Sequence, residues 1–230
     1  MFYLTLIPTM VDRIVAGLLN TNTYLFSHWK KGCIIIDPAG NVEEIISHIE
    51  IKNFTPLAII CTHGHFDHIA AIGQLREYYK DKDVDLPIYI HELDSNYLGE
   101  EGKEHHLQDL SNLGAEFHPL FHSFLQNLPA ADFLLKEGDV ILDTDLTVIH
   151  TPGHTPGGIS IYSESDAILF SGDTLFFEGV GRTDLPGGDT DQLRSSIMDK
   201  LFNLPDDTRV FPGHGPFTTI EREKNHNPFL

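Results

Sequence analysis

Leu57-Ala58-Ile59-Ile60-Cys61-Thr62-His63-Gly64-His65-Phe66-Asp67-His68 is the stretch from which the fold of this chain can be worked out. Its first five residues form an apolar run with β-branched content, the pattern of a buried strand. Four potential metal ligands, His63, His65, Asp67 and His68, follow within six positions. They leave the end of that strand on a turn, so they stand at the mouth of the fold rather than in its core. Neutral imidazole and carboxylate suit borderline divalent metals such as zinc. A tight turn can fan adjacent side chains toward two different ions, so one short loop can serve a two-metal site.

Upstream, Thr23-Tyr24-Leu25-Phe26, a Lys30-Lys31-Gly32 turn and Cys33-Ile34-Ile35-Ile36-Asp37-Pro38 read as a strand meander, with a further strand at residues 2–7. Asp37 ends a buried strand, where its carboxylate can either orient a ligand histidine through the free ring nitrogen or cap the following turn. Asn41 is placed to cap a helix whose apolar positions are Val42, Ile45, Ile46 and Ile49. Downstream, Ile69, Ile72 and Leu75 recur at three-residue steps, so the histidine loop opens a helix through Tyr79, with Asp67 and His68 in its first turn. Pro87-Ile88-Tyr89-Ile90-His91 reads as a strand with His91 at the surface.

Residues 92–135 have a different texture. His105, His106, His118 and His122 lie among Leu, Phe and Glu without a clean period, as expected of a helical, lid-like insertion. Tyr97, Phe117, Phe121 and Phe124 are candidates for packing or for substrate contact. Regular strands resume at Asp139–Leu142 and Leu146–His150, followed by His154 framed in Thr151-Pro152-Gly153-His154-Thr155-Pro156-Gly157. The strand Ile159–Tyr162 precedes Ala167–Phe170, which delivers Asp173, and Arg209-Val210-Phe211-Pro212 delivers His214. Strand, tight turn and ligand thus recur four times across the chain, and two packed half-domains are expected without a detectable sequence repeat.

The balance of 34 acidic against 15 basic residues, a formal charge of −19, disfavours nucleic acid and anionic membranes, which both need clustered Lys and Arg. Two bound dications would offset part of it. Cys33 and Cys61 lie inside apolar runs and read as buried reduced thiols. The absence of a basic leader and of eighteen consecutive apolar residues leads to the expectation of a cytoplasmic protein, a monomer or small homo-oligomer, without a membrane span.

The ordered set His63, His65, Asp67, His68, His154, Asp173 and His214 resembles the pattern of the metallo-β-lactamase superfamily. Ser171-Gly172-Asp173-Thr174-Leu175-Phe176, Gly181-Arg182-Thr183-Asp184-Leu185-Pro186-Gly187-Gly188, Pro212-Gly213-His214-Gly215-Pro216 and Asn227-Pro228-Phe229-Leu230 are most similar to its short glyoxalase II-like, hydroxyacylglutathione hydrolase-like members. The resemblance implies one α/β domain over residues 1–230, a four-layer αβ/βα sandwich with the metals along one edge. It also implies the division of ligands: His63, His65 and His154 for one ion, Asp67, His68 and His214 for the other, and Asp173 bridging. The ions implied are two divalent metals, zinc first, with iron or manganese as alternatives. Ions held roughly 3.5–4 Å apart can share a water and lower its pKa from about 15.7 toward 7, giving a hydroxide nucleophile. Asp67 and Asp173 are then the catalytic carboxylates.

The activity implied is hydrolysis of a small-molecule thioester such as an S-2-hydroxyacyl-glutathione, with Arg182 either gripping the substrate's anionic part or pairing with Asp184. Glyoxalase II proper carries a C-terminal helical glutathione-binding domain that is not expected here, and the expectation leaves room for a different thioester or ester. Alternatives are persulfide dioxygenation at a single iron, hydrolysis of a lactone, β-lactam or other ester, and a metal-binding module without catalysis.

Overall fold

The apolar runs form two mixed β-sheets packed face to face. A computed structural model describes residues 9–28, 31–111, 124 and 127–230, the side chains of 107–111 excepted. The first sheet contains β1 (Met10–Ala16), β2 (Thr21–Ser27), β3 (Gly32–Ile36), β4 (Thr55–Ile60), β5 (Ile88–His91) and β6 (Phe133–Leu135), in that spatial order. The second comprises β7 (Leu146–His150), β8 (Ile159–Ser163), β9 (Ile168–Gly172), β12 (Arg209–Pro212) and β13 (Thr218–Thr219), ordered β13-β12-β9-β8-β7. A two-stranded ribbon of β10 (Leu175–Phe176) and β11 (Gly179–Val180) lies between β9 and β12 in sequence.

Alternation along each strand distributes the core. From β3, Ile34 and Ile36 face the other sheet, while Cys33 and Ile35 face the outer helices. The same split sends Ile168 and Phe170 of β9 inward and Leu169 outward. Helices α1 (Val42–Ile51) and α3 (Ile72–Lys80) cover the first sheet; α5 (Thr190–Asp199) and α6 (Ile220–His226) cover the second. The result is the expected four-layer sandwich. Because the inner strands are buried on both faces, they read as continuous apolar runs rather than alternating ones. Each fully buried Ile contributes roughly 1.5–3 kcal/mol. Both cysteines are free and buried, and burial pushes the Cys33 thiol up to about 12.

Several local expectations are corrected. The helix after the histidines is broken into α2 (Phe66–Ile69) and α3, because the Ala71 N–H donates to Pro38 O (3.0 Å) outside the helix. Asn41 precedes α1 in a left-handed conformation (φ 66°) and caps by position, without a side-chain cap bond. Asp139–Leu142 is a turn with an isolated bridge from Val140 to Thr147, since Leu142 takes a positive φ of 51°. The interval 92–135 holds a 3-10 helix (Glu92–Tyr97) and α4 (Gly99–Ser111). It ends in a strand, β6, which pairs in parallel with β5. The strand expected at residues 2–7, together with Phe117, Phe121, His118 and His122, lies outside the described residues.

His91 is buried rather than at the surface, 3% exposed. Its ring stacks on that of His150 (centroids 4.1 Å, 11°), joining β5 of one sheet to β7 of the other. Burial, with His150 beside it, lowers its pKa from 6.5 to about 4. Between those values the unfolded chain takes a proton that the folded chain refuses. This contribution therefore costs nothing above pH 6.5 and destabilises the fold progressively as pH falls toward 4. His91→Asn is expected to flatten that part of the acid limb in denaturant titrations; an unchanged slope would rule out His91 as its source.

Candidate metal centre

All seven candidate residues from the sequence converge on one edge of the sandwich, where the C-terminal ends of β3, β4, β9 and β12 lie side by side. His63, His65 and His154 form one group of donor atoms and Asp67, His68 and His214 another, while His63, His68 and Asp173 form a third that overlaps both. Within each group the atoms lie within 4.8 Å of one another. Asp173 stands between the first two groups: its Oδ2 is 3.5 Å from His154 Nε2 and 3.5 Å from His214 Nε2, and its Oδ1 is 3.3 Å from His68 Nε2.

Hydrogen bonds behind the rings fix which nitrogen each presents. His154 Nδ1 donates to Arg182 O (2.7 Å), so Nε2 faces the centre. His68 Nδ1 donates to Asp37 Oδ2 (2.9 Å). Thr62 Oγ1 donates to the same carboxylate (2.7 Å) and so accepts from His63 Nδ1 (3.1 Å). The Thr62 N–H completes the set on Asp37 Oδ1 (2.7 Å). One carboxylate therefore orients a histidine from each ligand group, the supporting role that metal sites commonly require. Asp37 reaches that position with φ 50°, a left-handed conformation that Asp tolerates better than most residues.

Close backbone approach completes the packing. Gly172, at φ +49°, lies where a Cβ would meet Thr62 Oγ1 at 2.5 Å, and a Cβ at Gly213 would meet Asp173 Oδ1 at 2.2 Å. The His214 loop is held from the first sheet. Asn22 N–H donates to Gly213 O (2.7 Å) and Asn22 Nδ2 to Pro212 O (2.8 Å) and Gly215 O (2.9 Å), while Tyr24 OH donates to Pro212 O (2.7 Å). Thr21 Oγ1 donates to Asp67 Oδ2 (2.7 Å).

The electrostatics suit cation binding. Burial, reinforced by the imidazoles of His68, His154 and His65, drives His63 well below its ordinary value; burial and His154 bring His65 to about 3. Burial alone would raise Asp67, but His68 and His214 outweigh it and hold it at about 2. Asp173 is likewise driven well down, burial being outweighed by His68 and His214. The site thus offers the neutral imidazoles of His63 and His65 beside ionised carboxylates. At two other rings those carboxylates outweigh burial, raising His68 well above its ordinary value and His214 to about 9, so that a cation bound there would displace their protons. His63 Nε2, buried and aimed inward, has no hydrogen-bond partner among the described residues. A divalent ion would satisfy it, and the nitrogen and oxygen donors are those zinc, iron and manganese accept.

Sequence reasoning anticipated Asp37 but missed Thr21, Asn22 and Asp94. Asp94 is fully buried and accepts from Gly64 N (2.9 Å), Thr155 Oγ1 (2.7 Å) and Gly157 N (2.6 Å), tying the 62–68 loop to the 154 loop. Nothing in its neighbourhood marks it. By contrast, Thr21, Asn22 and Thr23 are three consecutive polar residues leading into the apolar Tyr24-Leu25-Phe26 of the same strand, a signal that was readable.

Fold and site together define a metal-dependent hydrolase. The chain belongs to the metallo-beta-lactamase superfamily: the family model matches residues 16–214. It is 36% identical over 222 residues to the hydroxyacylglutathione hydrolase GloC of Haemophilus influenzae, covering 96% of this chain and 97% of that protein. Among solved structures it is similar to the BLEG-1 B3 metallo-beta-lactamase, with TM-score 0.82 and 37% identity over 96% of this chain and 99% of that one. It is similar also to TTHA1623 in a di-iron-bound form, with TM-score 0.76 and 36% identity over 96% and 100%.

Two substitutions test the supports. Asp37→Asn leaves a group facing Thr62 N–H, Thr62 Oγ–H and His68 Nδ1–H with half the acceptor capacity, and metal affinity is expected to drop about 10–100-fold in competition with a chelator. Asp94→Asn is expected to cost about 1–3 kcal/mol in denaturant titration, because its amide turns a donor toward another donor. Wild-type values in either measurement would show that the bond network does not act as described.

Proposed function

We propose that the protein hydrolyses small-molecule thioesters such as an S-2-hydroxyacyl-glutathione, using two divalent cations held by the seven converging residues. His63, His65 and His154 would hold one, Asp67, His68 and His214 the other, and Asp173 both. The observation that carries this is Asp173 Oδ2, equally distant at 3.5 Å from a nitrogen of each histidine set. A carboxylate so placed suits a bridge and no single closed four-coordinate site.

Bound cations of this kind supply Lewis acidity and an ionised water near neutral pH. The chain's own groups then do the rest. Asp67, fixed by Thr21 Oγ1 and kept ionised, orients the attacking water. Water adds to the carbonyl carbon, the C–S bond breaks, and the products are a carboxylic acid and a thiol. No serine or cysteine nucleophile is needed.

Arg182 is the candidate contact for the anionic part of the thiol. Its backbone carbonyl holds His154, and its guanidinium, about half exposed, pairs in bidentate fashion with Asp184 (2.7 and 2.7 Å). An exposed pair of this kind is screened by solvent and weak, so a substrate carboxylate can replace Asp184 at little cost. The likeness to GloC supports the thioester reading. The likeness to the BLEG-1 enzyme supports β-lactam hydrolysis as the second reading.

Metal-loaded protein is expected to turn over S-lactoylglutathione and to lose that activity on chelation; cleavage of a β-lactam, lactone or persulfide without the thioester would overturn the assignment. Asp173→Ala is expected to lose metal from both positions, and two retained equivalents by elemental analysis would refute the bridge. Arg182→Ala is expected to raise KM for the glutathione thioester about tenfold, the scale of one charge-assisted hydrogen bond, with kcat little changed. Unaltered KM would remove Arg182 from the binding site.

A further inference from the structure

A cavity of about 330 Å³ opens beside Asp67. It lies between the turn that joins β1 to β2, the loop that precedes α1, and helices α2 and α3. Leu18, Phe66, Ala70 and Phe124 give it an apolar lining, and Asn41, Gln74 and Asn127 add uncharged amides. Gly17, Gly40 and Gly73 supply bare backbone to its wall. No Lys, Arg or His lines it among the described residues. Its volume falls in the range of small-molecule sites, about 300–1,000 Å³; apart from the Asp67 carboxylate at the end nearest the centre, its composition is that of pockets which bind by burial and orient by a few neutral hydrogen bonds.

The cavity and the Arg182 backbone adjoin different donor groups of the centre. Asp67 belongs to the donor group of His68 and His214, whereas the Arg182 carbonyl holds His154, which belongs with His63 and His65. Asp173 lies between the two groups. A thioester lying across Asp173 could therefore direct one arm toward the Arg182 segment and the other into an apolar, amide-lined cavity that holds no cation among the described residues.

We infer that the cavity beside Asp67 is an acyl subsite, and that the protein prefers thioesters whose acyl arm is uncharged and longer than a lactoyl group. An anionic acyl arm would have no cation to meet there, and its desolvation would go uncompensated. A hydrocarbon arm would gain roughly fourfold in kcat/KM for each methylene buried. This rests on the thioester reading above and deepens it by naming the acyl class.

The test compares acetyl-, lactoyl-, hexanoyl- and succinyl-glutathione on metal-loaded protein, with hexanamide binding followed by protein-observed NMR as a readout independent of turnover. The expected order places hexanoyl well above acetyl and lactoyl, with succinyl the poorest. Ala70→Leu, which fills the cavity, should remove the hexanoyl advantage, read as the ratio of hexanoyl to acetyl kcat/KM within the same variant, and the hexanamide shifts. Leu18→Arg, at an exposed turn position (55%) where folding is not at stake, should raise succinyl turnover about tenfold, as expected for one new charge-assisted contact. If no thioester reacts but hexanamide binds in a manner sensitive to Ala70→Leu, the proposed activity falls and the apolar subsite stands. Equal rates for acetyl and hexanoyl, with hexanamide shifts absent or unaffected by Ala70→Leu, would overturn the subsite even if the thioesterase activity holds.

Discussion

The buried carboxylate of Asp37 is the constraint on which the site depends. It is 2% exposed and accepts from the Thr62 N–H, the Thr62 hydroxyl and His68 Nδ1. Through Thr62 it also sets the ring of His63. An isolated charge at such depth would be very costly, so its donors must be held in place. The β3–β4 pairing holds them: the two strands run parallel, and Asp37 N–H continues the ladder to Ile60 O. Core packing of the two strands and orientation of the ligands are thus one arrangement.

The centre is assembled from both sheets, and each clamps the other. β2 grips the His214 loop at the end of β12 through Asn22 and Tyr24, and Thr21 reaches Asp67 in α2, which follows β4. Asp94 secures the opposite side, joining the turn after His63 to the loop around His154. The positions carrying the chemistry therefore sit on loops and on the short helix α2, while their geometry comes from rigid strand ends, the usual division between scaffold and function. The net charge of −19 gains a local meaning here: the ionised carboxylates of Asp67 and Asp173, in a chain with few cations, lower the energy of bound metal ions. No helix among the described residues is long and apolar enough to cross a membrane.

How much was readable in advance varied with the length scale of the signal. Apolar runs such as Cys33–Ile36, and the spacing of Val42, Ile45 and Ile49, located β3 and α1 because burial imposes its period on the sequence. Where a single backbone bond decided the outcome, periodicity misled: the Ala71 N–H turned to Pro38 O and split the helix after His68. His91 looked like a strand-end surface residue, yet its partner, His150, comes from the other sheet, and no local pattern could reveal a stacking contact between sheets.

The sequence by itself determined the kind of chemistry: which residues are ligand types, that each follows a buried strand, and that a divalent metal is the partner they suit. It also determined the α/β character, since hydrophobic period is a local property of the chain. Only the tertiary structure decided which donors share a centre, that Asp173 lies between two histidine sets, and that a largely apolar cavity opens at Asp67. It alone brought Asn22 to Pro212 across 190 positions. Distances between such residues are set by how two sheets pack and twist on one another, and that information is spread over the whole core rather than written in any one segment.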